Sequence, residues 1–298
     1  MLNRPPTKTA QDILRDASTA YTKRLKLHAL VIGEKGAGKT TLATTAPTPV
    51  AIFEFDPGGA SLPAVRRLVD GGNAIVFPFD EPDGSDTPKE KLQYKRFVDN
   101  FNILHAAGFF DTVATVVLDS MTTFSEALIH YITRSSGHEL LLPGCNPKNS
   151  GMEIRDWGIF ANTLAYLINR LANISCHTVV LGHINRDKDE VFGGILRSLM
   201  VAGKSSHRLP VSFGEYYCMR AKTTARGLER YLLTAPEESI PASSRLSAEG
   251  VLDPHEKPDL SHILTKCGIP LGTKPPLVTS APAPAPATTT SPKERTTS

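Results

Sequence analysis

Residues 33–40 read Gly-Glu-Lys-Gly-Ala-Gly-Lys-Thr, and this octapeptide restricts the possible folds more than any other stretch of the chain. It satisfies G-x-x-x-x-G-K-[ST], in which each fixed position has a physical job. The glycines let backbone N–H groups turn inward on a phosphate, Lys39 brings a positive charge, and the Thr40 hydroxyl suits Mg²⁺. Gly33, Glu34, Lys35, Gly36, Ala37, Gly38, Lys39, Thr40 and Thr41 are therefore the candidate nucleotide-binding residues. With glycine near 7% of residues, the fixed positions match by chance in roughly one chain of this length in a hundred.

Such a loop works only between a strand and a helix. Residues 25–32 alternate and then turn apolar, as a strand entering a core does. Residues 41–46 suit a short helix closed by Pro47 and Pro49. Downstream, strands are expected at 49–55, 73–78, 112–118, 177–184, 213–220 and 228–233, and helices at 60–70, 88–107, 121–134 and 152–174. That alternation predicts an α/β fold: a mainly parallel central sheet with helices on both faces. The short turn at Arg226-Gly227 adds an antiparallel edge hairpin.

The 298 residues suffice for one large domain or two small ones, and the net charge of +3 is too mild to argue for nucleic acid by itself. Cys145, Cys176, Cys218 and Cys267 show no metal-ligand or disulfide spacing and read as reduced thiols, which favours a cytoplasmic location. No apolar run approaches membrane-spanning length, and residues 1–6 lack the apolar core of a signal peptide.

Three units are expected: an N-terminal segment, 1–24, with a short helix capped by Thr9 and Asp12; a core, 25–270; and a Pro/Ala/Thr-rich tail, 271–298, unable to build a core. Ile13, Leu14, Ala17 and Tyr21 form the apolar side of the first helix, expected to pack on its own domain in preference to a neighbouring subunit. Loops are expected at 79–87, 135–151 and 185–206.

Apolar strands ending in acids carry the remaining chemistry. Thr115–Ser120 ends in Asp119, placed to hold the Mg²⁺ shell opposite Thr40; it also fits a helix cap. Residues 51–59 end in Glu54 and Asp56, which share a face; Asp56 is preferred for orienting the attacking water, with a plain Asp-Pro-Gly turn as the alternative. His183 closes a third strand and suits contact with a terminal phosphate, unless it is simply a hydrogen-bonded strand end. Arg186, Lys188, Arg197, Lys204, His207 and Arg208 then cluster with glycines, as a phosphate-backbone contact or a solvated loop. Trp157 reads as core more than as a base-stacking platform.

GEKGAGKTT at 33–41, FEFDPGG at 53–59, VVLDSMTTF at 116–124, RDWG at 155–158, VVLGHINRDKDE at 179–190 and AGKSSHRLPVSFGEYY at 202–217 together resemble the RecA-like core ATPases. More closely, they resemble the compact, phage-encoded single-strand annealing and recombination ATPases. The resemblance spans about 25–250. It implies a RecA-like P-loop fold, hydrolysis of ATP with Mg²⁺, catalytic roles for Lys39, Asp56 and His183, and metal ligation by Thr40 and Asp119. RecA itself has glutamine where His183 falls. The resemblance further implies assembly as a homo-oligomer, ring or filament, on single-stranded DNA. The DNA-facing loops would fall at about 135–152 and 185–206, and Arg220 or Lys222 would reach a neighbour's ATP. The tail is a candidate contact for a single-strand binding protein, and the cytoplasm would be the host's if the chain is phage-encoded. A helicase or packaging motor of the same fold, a P-loop small-molecule kinase and a nucleotide-gated binding module are the competing functions.

Overall fold

The computed structural model describes residues 8–23, 25–79, 93–135, 152–188, 194–225, 227–237, 239–247 and 250–277. The elements follow in order: α1 (Ala10–Lys23), β1 (His28–Gly33), α2 (Lys39–Ala43), β2 (Val50–Glu54), α3 (Pro63–Asp70), β3 (Ala74–Pro78), α4 (Gln93–Ala106), β4 (Thr115–Asp119) and α5 (Met121–Ser135). Then come α6 (Ile154–Asn173), β5 (His177–Lys188), β6 (Ile195–Leu199), α7 (Ser205–Arg208), β7 (Glu215–Thr224), β8 (Gly227–Leu233), β9 (Ser243–Ser244), β10 (His255–Glu256) and α8 (Leu260–Lys266).

The strands form a sheet in the order β10-β8-β7-β1-β5-β4-β2-β3. From β7 to β3 neighbouring strands run parallel; β8 and β10 add an antiparallel end. The central strands β2 and β4 are buried at every position because both faces of the sheet are covered. Side chains alternate between the two layers: Leu30 and Ile32 of β1 join one core, Ala29 and Val31 the other. The first core is roofed by α4, α5 and α6 through Phe97, Phe101, Phe124, Leu128, Phe160 and Leu164. The second is roofed by α2, α3 and α8 through Leu42, Val65, Leu260 and Ile263. The expected α/β architecture, with its antiparallel edge, is the observed one.

Two expectations are corrected. Residues 185–206 are not simply a loop: Asn185–Lys188 continue β5 and ladder antiparallel with β6, from Ile184↔Leu199 to Lys188↔Ile195. Gly182 allows this, since a Cβ there would overlap Leu199, which is fully buried beneath it. Nor does α1 pack on its own domain: Ile13, Leu14 and Tyr21 are 57%, 70% and 67% exposed. Of the expected elements, residues 80–92, 136–151 and 278–298 lie outside the described residues, as does Cys145. Residues 271–277, assigned by sequence to the tail, run against the core, with Lys274 N–H donating to Thr48 O and Leu277 N–H to Gly72 O.

His28, at the start of β1, stacks on Phe213 with ring centroids 4.6 Å apart. Both of its ring nitrogens are buried without a hydrogen-bond partner among the described residues. Burial, helped by nearby Lys26, pushes the imidazole down from 6.5 to about 4. The folded state resists a proton that the unfolded chain accepts, so this contribution to stability is complete above 6.5 and is lost as pH falls towards 4. Urea unfolding should show a loss of about 2–3 kcal/mol from this source between pH 7 and 4. His28→Phe should remove that part of the slope; identical pH profiles for the two proteins would contradict the assignment.

Candidate nucleotide-hydrolysis site

The parallel strands deliver their carboxyl ends to one edge of the sheet, where open α/β folds bind ligands. Gly33 ends β1 directly beside His183 of β5, and Glu54 ends β2 beside Asp119 of β4. The loop 34–38 then bends over this edge through Gly36 and Gly38, at φ 79° and 103°. Gly33 has no room for a side chain: a Cβ would stand 2.9 Å from Met219 O on β7.

Lys39 is 7% exposed and tethered, with Nζ donating to Gly33 O at 2.9 Å and Glu34 O at 3.2 Å. Burial pulls its pKa down, while Asp119, Asp56 and Glu34 oppose that shift. Nζ also lies 3.4 Å from His183 Nδ1, and His183 Nε2 lies 2.8 Å from Asp56 Oδ2. An ammonium has no acceptor, so Nδ1 accepts from it and Nε2–H donates to Asp56. Lys39, His183 and Asp56 thus form one hydrogen-bonded chain, the imidazole as its middle member.

Asp56 takes further bonds on Oδ1, from Ser120 Oγ at 2.9 Å and from Thr123 Oγ1. Burial alone would raise its carboxyl, but the bonds from His183, Thr123 and Ser120 outweigh it and hold the group below the usual range. Asp119 is the opposite case. It is 2% exposed, and burial pushes its carboxyl up to about 6 despite a 2.6 Å bond from Thr40 Oγ1. A buried carboxylate facing a hydroxyl is an environment that a divalent cation would relieve, so Thr40 and Asp119 fit Mg²⁺.

The cleft between these groups has a volume of about 590 Å³. Asp56, Asp119, Lys39, Thr40, Thr41 and His183 line it; Glu54 does not. Glu54 is turned inward, accepting from Ala60 N–H at 2.6 Å, where a Cβ on Gly59 would overlap it. Asp119 ends its strand and Ser120 precedes α5, so acid and helix start share one bend. Arg186 is committed to the phosphate loop, its Nη2 lying 2.7 Å from Glu34 Oε1. Arg220 and Lys222 stand on β7 away from the lining of the cleft. Trp157 is 37% exposed on α6, edge-on to Phe160.

Arg230, on β8, also lines the cleft. Leu232, two residues along β8, is buried against the α2 side of the sheet, and the period of two places Arg230 on the same face, over the phosphate loop. Its Cδ and Nε would stand 3.1 Å from a Cβ on Gly38. Gly38→Ala should therefore weaken ATP binding by about tenfold or more, because the residue needs φ of 103° and would also crowd Arg230. Fluorescent-nucleotide titration checks this, and removing the crowding with Arg230→Ala should not restore binding.

A family model described as "AAA domain" matches residues 25–246. No curated protein matches the chain. Among solved structures, a KaiC-like protein of the hyperthermophilic archaeon Pyrococcus horikoshii is similar at 11% identity and a TM-score of 0.39, over 74% of this chain and 82% of that one. In the sheet, β5 lies between the phosphate-loop strand β1 and the acid-ending strand β4. With the family matched over most of its length, the chain belongs to the AAA-domain family of P-loop ATPases.

Proposed function

We propose that this chain hydrolyses ATP with Mg²⁺ and uses the cycle to bind single-stranded DNA as a homo-oligomer, promoting annealing or recombination. The observation that carries the catalytic half is the Lys39–His183–Asp56 chain beside the Thr40–Asp119 pair at the mouth of the phosphate loop.

Backbone N–H groups of 36–40 and the Lys39 ammonium bind the phosphates. Thr40 and Asp119 hold Mg²⁺, which when bound neutralises charge on the transferring phosphoryl group. Asp56 is held ionised by its three donors, which makes it a weak base but a well-oriented acceptor for the attacking water. That suffices where the transition state is loose and positioning dominates. His183 touches Lys39 on one side and Asp56 on the other, so loss of the terminal phosphate alters its contacts. Its own carbonyl accepts from Met200 N–H at the end of β6, so the change passes into the β5–β6 hairpin.

The DNA half rests on the resemblance to annealing and recombination ATPases and on the hairpin's position directly after His183. The exposed apolar side of α1 supports oligomerisation, since Ile13, Leu14 and Tyr21 suit a neighbouring subunit's surface. The tail beyond 277 is a candidate contact for a single-strand binding protein.

Lys39→Ala should abolish ATP turnover; a variant hydrolysing at the normal rate would sink the assignment. His183→Ala should lower kcat by about tenfold or more with KM for ATP changed by less than about threefold, as for a group acting after binding. For DNA, single-stranded oligonucleotide should stimulate turnover at low salt and lose affinity steeply as salt rises. No effect of oligonucleotide on either turnover or anisotropy at about 50 mM salt would remove DNA from the proposal.

A further inference from the structure

The β7–β8 hairpin projects beyond the strand on which it is built. β7 pairs with β1 only as far as Met219, opposite Gly33, yet it continues to Thr224 with β8 still laddered to it. The residues past Met219 therefore overhang the carboxyl edge of the sheet, at the level of the phosphate loop. Ala221 lies in this overhang, and its partner on β8 is Arg230. Met219 and Leu232, the pair two steps back, are buried on the α2 side, and the period of two gives Arg230 the same face. Arg220 and Lys222 fall on the opposite face, in phase with Cys218, which is buried in the other core.

The stem of Arg230 crosses Gly38 closely, and Met219 Cε would also stand 3.5 Å from a Cβ at that glycine. The side chain thus reaches the loop over the one residue there that leaves it room, and it lines the cleft with Lys39, Thr40 and Thr41. Among the described residues Arg230 takes part in no ion pair. The nearby acids are engaged elsewhere: Glu34 with Arg186, and Glu229 with the Thr224 hydroxyl at 3.1 Å. Along the sheet edge the strands run β8, β7, β1, β5, β4, β2, so Arg230 stands on one side of the phosphate-loop strand and His183, Asp119 and Asp56 on the other.

We propose that Arg230 is a nucleotide-binding residue acting within its own subunit, its guanidinium paired with the ribose-linked phosphate of ATP or ADP. This inference rests on the ATPase reading, in which the transferring phosphoryl group lies among His183, Asp56 and Asp119. The end of the nucleotide nearest β8 is then the opposite one. Of the groups at that end, the phosphate is the one whose charge and planar pair of oxygens match a guanidinium. ATP and ADP share this phosphate, so the contact contributes to binding before and after hydrolysis alike. It sets affinity without favouring the transition state.

The test is calorimetric titration of the full chain with ADP, with a non-hydrolysable ATP analogue and with inorganic triphosphate, each with Mg²⁺. Arg230→Gln should weaken all three by about five- to tenfold, and Arg230→Lys by less, since it keeps the charge but loses the fork. In steady state Arg230→Gln should raise KM for ATP by a similar factor and lower kcat by less than about threefold. The side chain is exposed, so without nucleotide the variant should melt with its parent. Weaker binding of the ATP analogue with ADP unchanged would place Arg230 on the terminal phosphate and overturn the proposal. Weaker binding of both nucleotides with inorganic triphosphate unchanged would place it on the base or ribose and overturn it equally. So would recovery of turnover on mixing Arg230→Gln with Lys39→Ala chains, which requires Arg230 to serve a neighbour's nucleotide. A parent chain that binds no nucleotide overturns the ATPase reading as well; a parent that binds, with Arg230→Gln indistinguishable from it, overturns this inference alone.

Discussion

Everything in this molecule hangs on β1. It is paired on both sides, with β5 and with β7, and every residue from Ala29 to Gly33 is buried. A strand locked this way has one exit, over the carboxyl edge of the sheet. The crowding of Gly33 against Met219 O requires that exit to be made by backbone without a side chain. The loop that follows is thereby pinned at its first residue, and Lys39 is returned to the strand end by its bonds to Gly33 O and Glu34 O. Were β1 an edge strand, the loop would have no fixed floor and the residues of β4 and β5 no fixed distance from it.

With that floor in place, two carboxylates of the same cleft acquire opposite characters. Asp56 sits among hydroxyls and an imidazole and is held ionised, whereas Asp119 is nearly sealed and is pushed towards its neutral form. The difference is one of depth and of donors: Asp119 is the more deeply buried, and Asp56 gathers three hydrogen bonds. It leaves Asp56 an ionised acceptor in the cleft and Asp119 a buried acid facing the Thr40 hydroxyl. His183 links the halves: it is bonded to Asp56, close to Lys39, and fixed through its backbone to the Thr122 hydroxyl at 3.0 Å. His183 O in turn accepts from Met200 N–H, so the same residue touches both the cleft and the hairpin.

Much of this was legible along the chain, for identifiable reasons. The phosphate loop is a local structure, so its residues are contiguous and their spacing is diagnostic. The apolar strands announce themselves by length and by the acids at their ends, and the reading of Val116–Ser120 required only that pattern. The β5–β6 hairpin was not legible. Asn185, Arg186, Asp187 and Lys188 look like loop by composition, and they are strand only because Leu199 folds back under Gly182. The open side of α1 was misread because amphipathicity reveals an apolar face but not what covers it.

By itself the sequence determined the nucleotide chemistry and the α/β class, because both rest on short-range rules: a loop that only glycines can make, and runs whose period matches a strand or a helix. Only the tertiary structure decided which acid faces the cleft, that Lys39, His183 and Asp56 form one chain, and that Arg230 reaches the phosphate loop from almost two hundred residues away. These are relations between strands brought together by sheet order. No spacing along the chain encodes the distance between side chains on different strands, and that distance is what turns a list of polar residues into a site.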